Sequence, residues 1–570
     1  MAELMLATMA LSGVERLWFT SGSDLVAFQE AAAKAGVIGG HAPTITPALH
    51  EHVALSAAMG ETMVTGRPVA VAAHADLGLQ SFGGAVHNAA RGGYPVLIMT
   101  GYPPTSSSAR TSSVFWLQQR PDQGAIVRQY VKWDYEIGTH EDASLITARA
   151  LQVALAPPTG PTYLAVPAEV SSARAPISAR AVPAAELGIP RLGAGAQDQI
   201  REIATHIVRA DRPLVLTDRA GRDPETVVLL SELATEFAIG VSRSRHRMNL
   251  PDDHPAGIAP SSVADADAVL VVEHPVPWIP VRAQPRASAF VAVVGEDPAQ
   301  TSIPVYEFRA HERVVASSAP FLAALIEEMR RVRTASDAER HRTRRAAIER
   351  AAAVALDRRA SAEAAAARAP IPSPLAIGSA LSAVLSPEDL FTWELADSSA
   401  VRRTRPGSLF DKGGSSLGWA VAAACGGRMT DPERPAVCLS GDGSYLFGVP
   451  TALLHAQLQH QAPVLTVVCN NRGYRTGTTS LIERYPDGFA VRAGDFTGGT
   501  FDPPPDIAAE ARAAGGFGET VITTAELPAA LAAARQATEI ERRPAVVDVW
   551  LPALADGAHP LDSRAVAGGI

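Results

Sequence analysis

Apolar residues along this chain fall into short continuous runs, separated by longer alanine-rich stretches with helical spacing. Continuous runs such as Val69–Ala73 and Val96–Met99 predict strands that are covered on both faces. Strands that alternate with helices predict parallel sheets. The fold class predicted is therefore α/β, with three consecutive parallel-sheet domains. Further predicted strands are 213–216, 268–272, 289–294, 435–440 and 464–469.

Changes in composition suggest where the chain divides. With 570 residues it exceeds the roughly 250–300 residues that one hydrophobic core supports. A stretch rich in Pro, Ala, Ser and Gly predicts a linker, and a stretch dominated by Arg, Ala and Glu predicts a solvated helix or a loose connector. The predicted units are a first domain at 1–170, a linker at 171–197, a central domain at 198–330, a connector at 331–370, a third domain at 371–551 and a tail at 552–570.

Composition and charge exclude several classes of function. The net charge of −9 offers no basic face for nucleic acid, and no long uncharged apolar stretch predicts a membrane span. Three cysteines are too few and too sparse for a disulfide framework. We expect inert core thiols and a cytoplasmic protein. The first residues lack a basic leader, so a secretory signal is not expected.

Two polar clusters follow neighbouring predicted strands in the third domain. Gly441-Asp442-Gly443-Ser444 comes directly after one strand, and Asn470-Asn471-Arg472-Gly473 ends the next. Ligand sites of open α/β sheets lie at the carboxyl ends of strands. Asp442, Asn471 and the Gly473 carbonyl would supply hard oxygen ligands, which suit Mg²⁺ that also binds phosphate oxygens. The clusters therefore predict a magnesium-bridged diphosphate.

This pair of clusters resembles the signature of thiamine-diphosphate-dependent enzymes. The resemblance implies that thiamine diphosphate and Mg²⁺ are the cofactors. It also implies that Asp442, Asn471 and Gly473 carry the metal and that Ser444 meets the diphosphate. By the same resemblance, the first domain binds the pyrimidine ring and the third binds the diphosphate.

The stretch from His50 to Gly60 resembles the pyrimidine-domain signature of the same superfamily, and its glutamate falls on Glu51. By resemblance, Glu51 activates the cofactor through its aminopyrimidine ring, a task that needs an acid or base in hydrogen-bond reach. From its position alone, Glu51 would be a first-turn helix acid, and it is the polar clusters of the third domain that favour the role in cofactor activation. His50 and His52 do not share a helix face, so a metal pair is not expected there.

Two further stretches resemble parts of the superfamily's cofactor site. In 414–418, Leu417 would be the apolar residue that holds the cofactor bent, and the Ser415 carbonyl would hold its amino group. A simple core role for Leu417 remains open. The stretch 394–399, with Ser398, is similar to a region that contacts the diphosphate.

Details of the first domain point to two branches of the superfamily. Ser23, in a Gly-Ser pair after the first strand, and His74, after a later strand, resemble active-site positions of benzoylformate decarboxylase. Ser23 would hold the substrate carboxylate and His74 would relay protons. Gln119 lies at the register of a cofactor-proximal glutamine in acetolactate synthase. Arg120 departs from the glutamate that follows in that enzyme.

The resemblance implies an enzyme that cleaves or forms a C–C bond next to the carbonyl of a small-molecule 2-oxo acid, as decarboxylase, carboligase or both. A 2-hydroxyacyl-CoA lyase or a cyclic diketone hydrolase would use the same chemistry. From another class, a catalytically silent cofactor-binding subunit remains open. The resemblance also implies a homodimer or homotetramer, because the two halves of a site come from different chains. Residues 474–505 are expected to close over the substrate as a mobile loop.

Overall fold

The structure, a computed structural model, describes residues 1–139, 141–244, 246–395 and 401–553. Its framework consists of parallel sheets flanked by helices, which confirms the predicted α/β fold class. The continuous apolar runs Val69–Ala73 and Ala268–Val272 are buried strands with those same bounds. Residues from 554 onward, within the predicted tail, lie outside the described part.

The first sheet has the strand order β2-β1-β3-β4-β6-β5. Its strands are β1 Arg16–Phe19, β2 Thr44–Pro47, β3 Val69–Ala73, β4 Val96–Tyr102, β5 Asp134–Glu136 and β6 Thr162–Pro167. The helices around it are α1 Ala2–Leu11, α2 Val26–Ile38, α3 Glu51–Thr65, α4 Leu77–Ser81, α5 Gly84–Gly92, α6 Val114–Leu117, α7 Ala143–Leu155 and α8 Ala168–Ser172. All these strands lie within the predicted first domain.

The second sheet has the order β11-β10-β9-β7-β8. Its strands are β7 Pro213–Thr217, β8 Gly240–Arg243, β9 Ala268–Val272, β10 Phe290–Gly295 and β11 Glu312–Val315. The accompanying helices are α9 Gln197–Arg209, α10 Pro224–Phe237, α11 Pro255–Ile258, α12 Ser318–Val332 and α13 Ala335–Arg368.

The third sheet has the order β13-β12-β14-β15-β17-β16, which is the strand order of the first sheet when each is counted from its own first strand. Its strands are β12 Leu390–Glu394, β13 Leu409–Phe410, β14 Ala436–Gly441, β15 Val464–Asn470, β16 Phe517–Val521 and β17 Ala545–Trp550. The helices are α14 Pro374–Val384, α15 Ala420–Thr430, α16 Asp442–Phe447, α17 Pro450–Gln459, α18 Arg475–Arg484, α19 Phe489–Ala493, α20 Ile507–Ala513 and α21 Leu527–Glu539.

Helices α3 and α15, which occupy equivalent places in these two sheets, cross at very short range. A Cβ added to Gly60 would lie 1.9 Å from the carbonyl oxygen of Ala423, and one added to Gly426 would lie 2.0 Å from that of Ala57. The glycines therefore let the backbones touch. Residues of both helices share one hydrophobic core. This packing fixes the start of α3 relative to the third sheet.

The predicted connector contains one long helix, α13, whose start is closed by a capping box between Thr334 and Asp337. It packs on the second sheet's helices, since Arg344 donates hydrogen bonds to backbone carbonyls that include that of Ala238. The sequence predicts either a solvated helix or a loose connector for this stretch, and the structure shows a helix. The division into separate domains stays a prediction. Across the described ranges, the chain contains no helix with the length and apolarity needed to cross a lipid bilayer.

Candidate active site

Glu51 is the first residue of α3, shortly after strand β2. The helix begins here because the His50 ring accepts a hydrogen bond from the backbone N–H of His52 at 3.1 Å, which satisfies an amide that the helix leaves unpaired. The Glu51 side chain is buried, and no described residue donates a hydrogen bond to its carboxylate. A buried carboxylate without a donor needs an external partner.

His74 lies directly after β3 and forms a pair with Asp24, which follows β1. The two strands are neighbours in the sheet. The His74 Nδ1 atom lies 2.6 Å from Asp24 Oδ1, and Asp24 Oδ2 accepts the backbone N–H of Ala75 at 2.8 Å. The hydrogen bond to Asp24 raises the pKa of His74, although burial acts in the opposite direction. Ser23, the predicted residue, is exposed.

Asp24 is a residue that the sequence interpretation missed. The available signal was an acidic residue just after the predicted first strand, one position beyond the Gly22-Ser23 pair. Its side chain is almost completely buried. An aspartate in that position needs partners, and the sequence alone did not reveal that His74 would be one.

Two adjacent glutamines have different surroundings. Gln119, the predicted residue, accepts a hydrogen bond from the Arg110 guanidinium and lies beside the Tyr102 hydroxyl. Gln118 instead reaches the ring of His74, and this contact also raises the pKa of His74. The structure therefore brings this segment to the candidate site through Gln118. A cofactor contact for Gln119 stays a prediction.

Asp442 begins helix α16 at the carboxyl end of β14. Its carboxylate accepts the backbone N–H of Gly443 and that of Gly473, both at 2.9 Å. Burial raises the pKa of Asp442, and the N–H donors act in the opposite direction. The Gly473 carbonyl accepts the backbone N–H of Arg475 at 3.1 Å, which leaves its second lone pair for another ligand.

The two asparagines after β15 have separate tasks. Asn470 donates its side-chain amide to Asp548 at 2.9 Å. The Asn471 side-chain oxygen is buried and has no hydrogen-bond partner among the described residues. An orphaned buried oxygen close in sequence to Gly473, which itself is bonded to the Asp442 carboxylate, fits a hard cation that prefers oxygen ligands. The residues present therefore fit Mg²⁺ at this position.

Glycines beside Asp442 let neighbouring side chains pack closely against the end of β14. A Cβ on Gly443 would lie 3.0 Å from the ring of Tyr474, and one on Gly441 would lie 3.3 Å from the side chain of Leu395. Ser444 is buried in the first turn of α16. Backbone N–H groups at the start of a helix are suited to bind an anion, although α16 is short. The diphosphate contacts of Gly441, Gly443 and Ser444 stay predictions.

The stretch 394–399 is only partly described, and Ser398 lies outside the described residues. Glu394 is buried and forms an ion pair with Lys412 at 3.0 Å. Its other oxygen accepts the backbone N–H groups of Trp419 and Ala420 at the start of α15. Glu394 therefore anchors the start of this helix.

The predicted cofactor loop at 414–418 is held by the first sheet's helix α5. Asn88 accepts the backbone N–H of Ser416 and donates to its carbonyl, both at 3.0 Å. The Ser415 hydroxyl lies 3.2 Å from the His87 ring. Leu417 is half-buried, so a complete core role is not seen. The contacts of Leu417 and of the Ser415 carbonyl with a cofactor stay predictions.

The predicted mobile loop contains helices α18 and α19, and Gly473 forms a bridge with Thr500 at its base. The Tyr474 ring packs edge-on against Phe501, with centroids 4.9 Å apart. Exposed Phe489 lies in α19. Closure of this segment over a substrate stays a prediction.

The candidate residues form two groups: the N-terminal cluster of Asp24, Glu51 and His74, and the C-terminal cluster of Asp442, Asn471 and Gly473. Within one chain, the described residues form no hydrogen bond or ion pair between a member of one cluster and a member of the other. Each cluster lies at the carboxyl ends of strands of its own sheet. Within one chain, the two clusters are therefore separate groups of mostly buried polar side chains.

Comparison with known proteins matches both ends of the chain to the same type of enzyme. Residues 1–126 match the family model described as "Thiamine pyrophosphate enzyme, N-terminal TPP binding domain". Residues 395–549 match "Thiamine pyrophosphate enzyme, C-terminal TPP binding domain". The N-terminal match contains the N-terminal cluster, and the C-terminal match contains the C-terminal cluster.

Individual relatives agree with these matches. Benzoylformate decarboxylase of Pseudomonas aeruginosa is 26% identical over 453 residues, which cover 75% of this chain and 78% of that protein. The acetolactate synthase large subunit IlvG of Mycobacterium tuberculosis is 24% identical over 535 residues, covering 91% of this chain and 90% of that protein.

Solved structures share the fold along almost the whole chain. The 4-hydroxybenzoylformate decarboxylase of Rhodococcus jostii RHA1 superposes with a TM-score of 0.75 at 20% identity and covers 97% of this chain and 99% of its own. Benzoylformate decarboxylase from Polynucleobacter necessarius also gives a TM-score of 0.75 at 20% identity, with 97% and 98% covered.

Proposed function

The chain belongs to the thiamine-diphosphate-dependent enzymes, and from that membership we propose that it decarboxylates a 2-oxo acid, with or without transfer of the resulting fragment to a second carbonyl. When bound, thiamine diphosphate would supply the electron sink for this chemistry. Benzoylformate decarboxylase, among the relatives, favours a 2-oxo acid with an aromatic side chain as the first substrate to test.

The observation that carries this proposal is the buried, unpartnered oxygen of Asn471 after the strand next to Asp442. A metal with phosphate ligands satisfies such an oxygen, whereas the protein alone leaves it unpaired. Asp442, Asn471 and Gly473 would hold Mg²⁺. Gly441, Gly443 and Ser444 would meet the diphosphate, and Leu417 with the Ser415 carbonyl would support the rest of the cofactor.

The N-terminal cluster would provide the acid–base groups. Glu51, buried and without a donor, would hold a proton at the aminopyrimidine ring. His74 would exchange a proton with the bound substrate, and exposed Ser23 would bind the substrate carboxylate. Gln119 would line the same opening. Each of these tasks needs a group placed within hydrogen-bond distance of its partner.

A second copy of the chain would complete the site. The N-terminal cluster of one copy and the C-terminal cluster of the other would then face the same cofactor, in a homodimer or homotetramer. This arrangement would bring together two clusters that no described hydrogen bond or ion pair joins within one chain. The described surface around Tyr474 and Phe489 also exposes aromatic side chains that such contact would cover.

Calorimetry and turnover together test the proposal. Purified protein is titrated with thiamine diphosphate in the presence and absence of Mg²⁺, and benzoylformate and pyruvate are then supplied. We expect magnesium-dependent binding, release of CO₂ and formation of an aldehyde or a 2-hydroxy ketone. Binding without CO₂ release from either acid, but with cleavage of a 2-hydroxyacyl-CoA or a cyclic diketone, would replace the 2-oxo acid proposal. Absence of binding would reject the cofactor.

A further inference from the structure

We propose that Asp24 is a positioning residue for His74: it keeps a proton on Nδ1 and leaves Nε2 as the ring nitrogen that exchanges a proton with the substrate. The inference rests on the proposed function for the role of His74 in turnover. The effect of Asp24 on the imidazole itself follows from the geometry of the pair and can be measured without any substrate.

The pair is built from two neighbouring strand ends and from glycines that make room for it. A Cβ on Gly22 would lie 2.6 Å from Asp24 Oδ1 and 2.7 Å from His74 Nδ1. A Cβ on Gly101, in β4, would lie 1.9 Å from Asp24 Oδ2. Any larger residue at either position would displace the carboxylate. The side chain of Asp24 is 2% exposed, so it is held in a closed space.

The chemistry of the two groups fixes the position of the proton. An ionised carboxylate can only accept hydrogen bonds, so the His74 Nδ1 atom at 2.6 Å must carry hydrogen. Asp24 Oδ2 accepts the backbone N–H of Ala75 as well, and this second bond prevents rotation of the carboxylate. In the neutral ring, the lone pair is therefore on Nε2. The His74 side chain is 21% exposed, so the ring is reachable from the surface.

Other groups around the imidazole also favour its protonated form. The charge of Glu51, at the start of α3, and the side chain of Gln118 both raise the pKa of His74, after the larger effect of the Asp24 hydrogen bond. Asp76, two residues beyond His74, is paired with Arg120 at 3.1 Å. Asp24 is therefore the carboxylate in direct contact with the imidazole.

Carbethoxylation with diethyl pyrocarbonate measures the effect on the ring directly. The reagent attacks neutral imidazole, so its rate at His74 as a function of pH, followed by peptide mass spectrometry, gives the titration midpoint of this residue. We expect Asp24→Asn to lower the midpoint by about 1–3 pH units. Gly22→Ala, which retains the carboxylate but displaces the pair, should lower it as well. Asp122→Asn, which removes a surface carboxylate paired with Arg128, should leave it unchanged.

The pH dependence of kcat/KM then tests the link to turnover. The limb of the profile that disappears in His74→Ala should move to lower pH in Asp24→Asn by the amount seen in the labelling. A labelling midpoint that is equal in wild type and Asp24→Asn overturns the proposal. A shifted midpoint with an unmoved limb overturns the positioning role in turnover. If no 2-oxo acid is turned over at all, the proposed function fails, while the labelling still decides whether Asp24 controls the His74 proton.

Discussion

The backbone N–H of Gly473 donates to the Asp442 carboxylate at 2.9 Å, and this bond ties the end of β15 to the end of β14. A Cβ on Gly473 would lie 2.2 Å from the carbonyl oxygen of Gly499, so Gly473→Ala must displace the loop. We expect magnesium-dependent affinity for thiamine diphosphate to fall by about 10–100-fold, as for other changes that misplace metal ligands. Calorimetry measures it. Gly477→Ala, in α18 with open space around it, is the control, and equal affinity in both variants would contradict the predicted metal site.

Removal of the charge at Glu51 should separate catalysis from binding. Glu51→Gln keeps the size of the side chain but cannot exchange a proton at the aminopyrimidine ring. We expect kcat to fall by about 10²–10⁴-fold, with the dissociation constant for thiamine diphosphate nearly unchanged. Glu61→Gln is a matched control in the same helix, because Glu61 pairs with Arg16 and not with the candidate site. Full turnover by Glu51→Gln would show that another group activates the cofactor.

The crossing of α3 and α15 predicts a large effect on stability from one methyl group. Gly60→Ala would place its Cβ 1.9 Å from a backbone carbonyl, and backbone cannot move aside as a side chain can. Overpacking of this kind costs about 1–3 kcal/mol or more. Gly36→Ala in α2, with nothing within 4 Å, should instead stabilise by up to about 1 kcal/mol. Urea unfolding of both variants checks the contrast, and equal midpoints would contradict the close crossing.

The sequence predicted the strands well because their apolar runs are buried on both faces and are bounded by polar residues. The predicted strand Val464–Cys469 is one residue shorter than β15, and the predicted strand Pro435–Ser440 is displaced from β14 by one residue at each end. The motif residues Asp442 and Asn471 could also be found, since each follows such a run. Asp24 could not be assigned to His74, because this pairing depends on β1 lying beside β3 in the sheet. The conformation of the loop likewise decides that Gln118, and not the predicted Gln119, contacts His74.

The sequence alone also does not predict that the first and third sheets have the same strand order. The two segments share no visible repeat, and strand order arises from the path of the connections and not from local composition. The contact of Gly60 with Ala423 could not be predicted either, because it depends on how the two helices pack. Both residues lie in alanine-rich stretches whose local sequence does not indicate a partner.

Asp548 should make stability depend on pH next to the C-terminal cluster. It accepts hydrogen bonds from Asn470 at 2.9 Å and from the Trp550 indole at 3.1 Å, yet burial raises the pKa of Asp548 to about 6. A carboxyl whose pKa is higher in the folded state holds its proton longer there. The folded state therefore loses stability as pH rises from about 4 to about 6. A shift from 3.8 to about 6 corresponds to about 3 kcal/mol.

Asp548→Asn removes this titration, although its amide can no longer accept from both donors. The free energy of unfolding of the wild type, relative to that of Asp548→Asn, should consequently be higher at pH 4.5 than at pH 7 by about 2 kcal/mol, the rest of the effect being lost already between pH 3 and pH 4.5. Urea unfolding at pH 4.5, 5.5 and 7 measures this difference. Asp495→Asn, at an exposed position whose carboxylate accepts hydrogen bonds from Thr497 alone among the described residues, controls for general charge effects. A difference that is constant across these pH values would mean that Asp548 is already ionised in the folded protein at pH 4.5, and that its two donors outweigh the cost of burial.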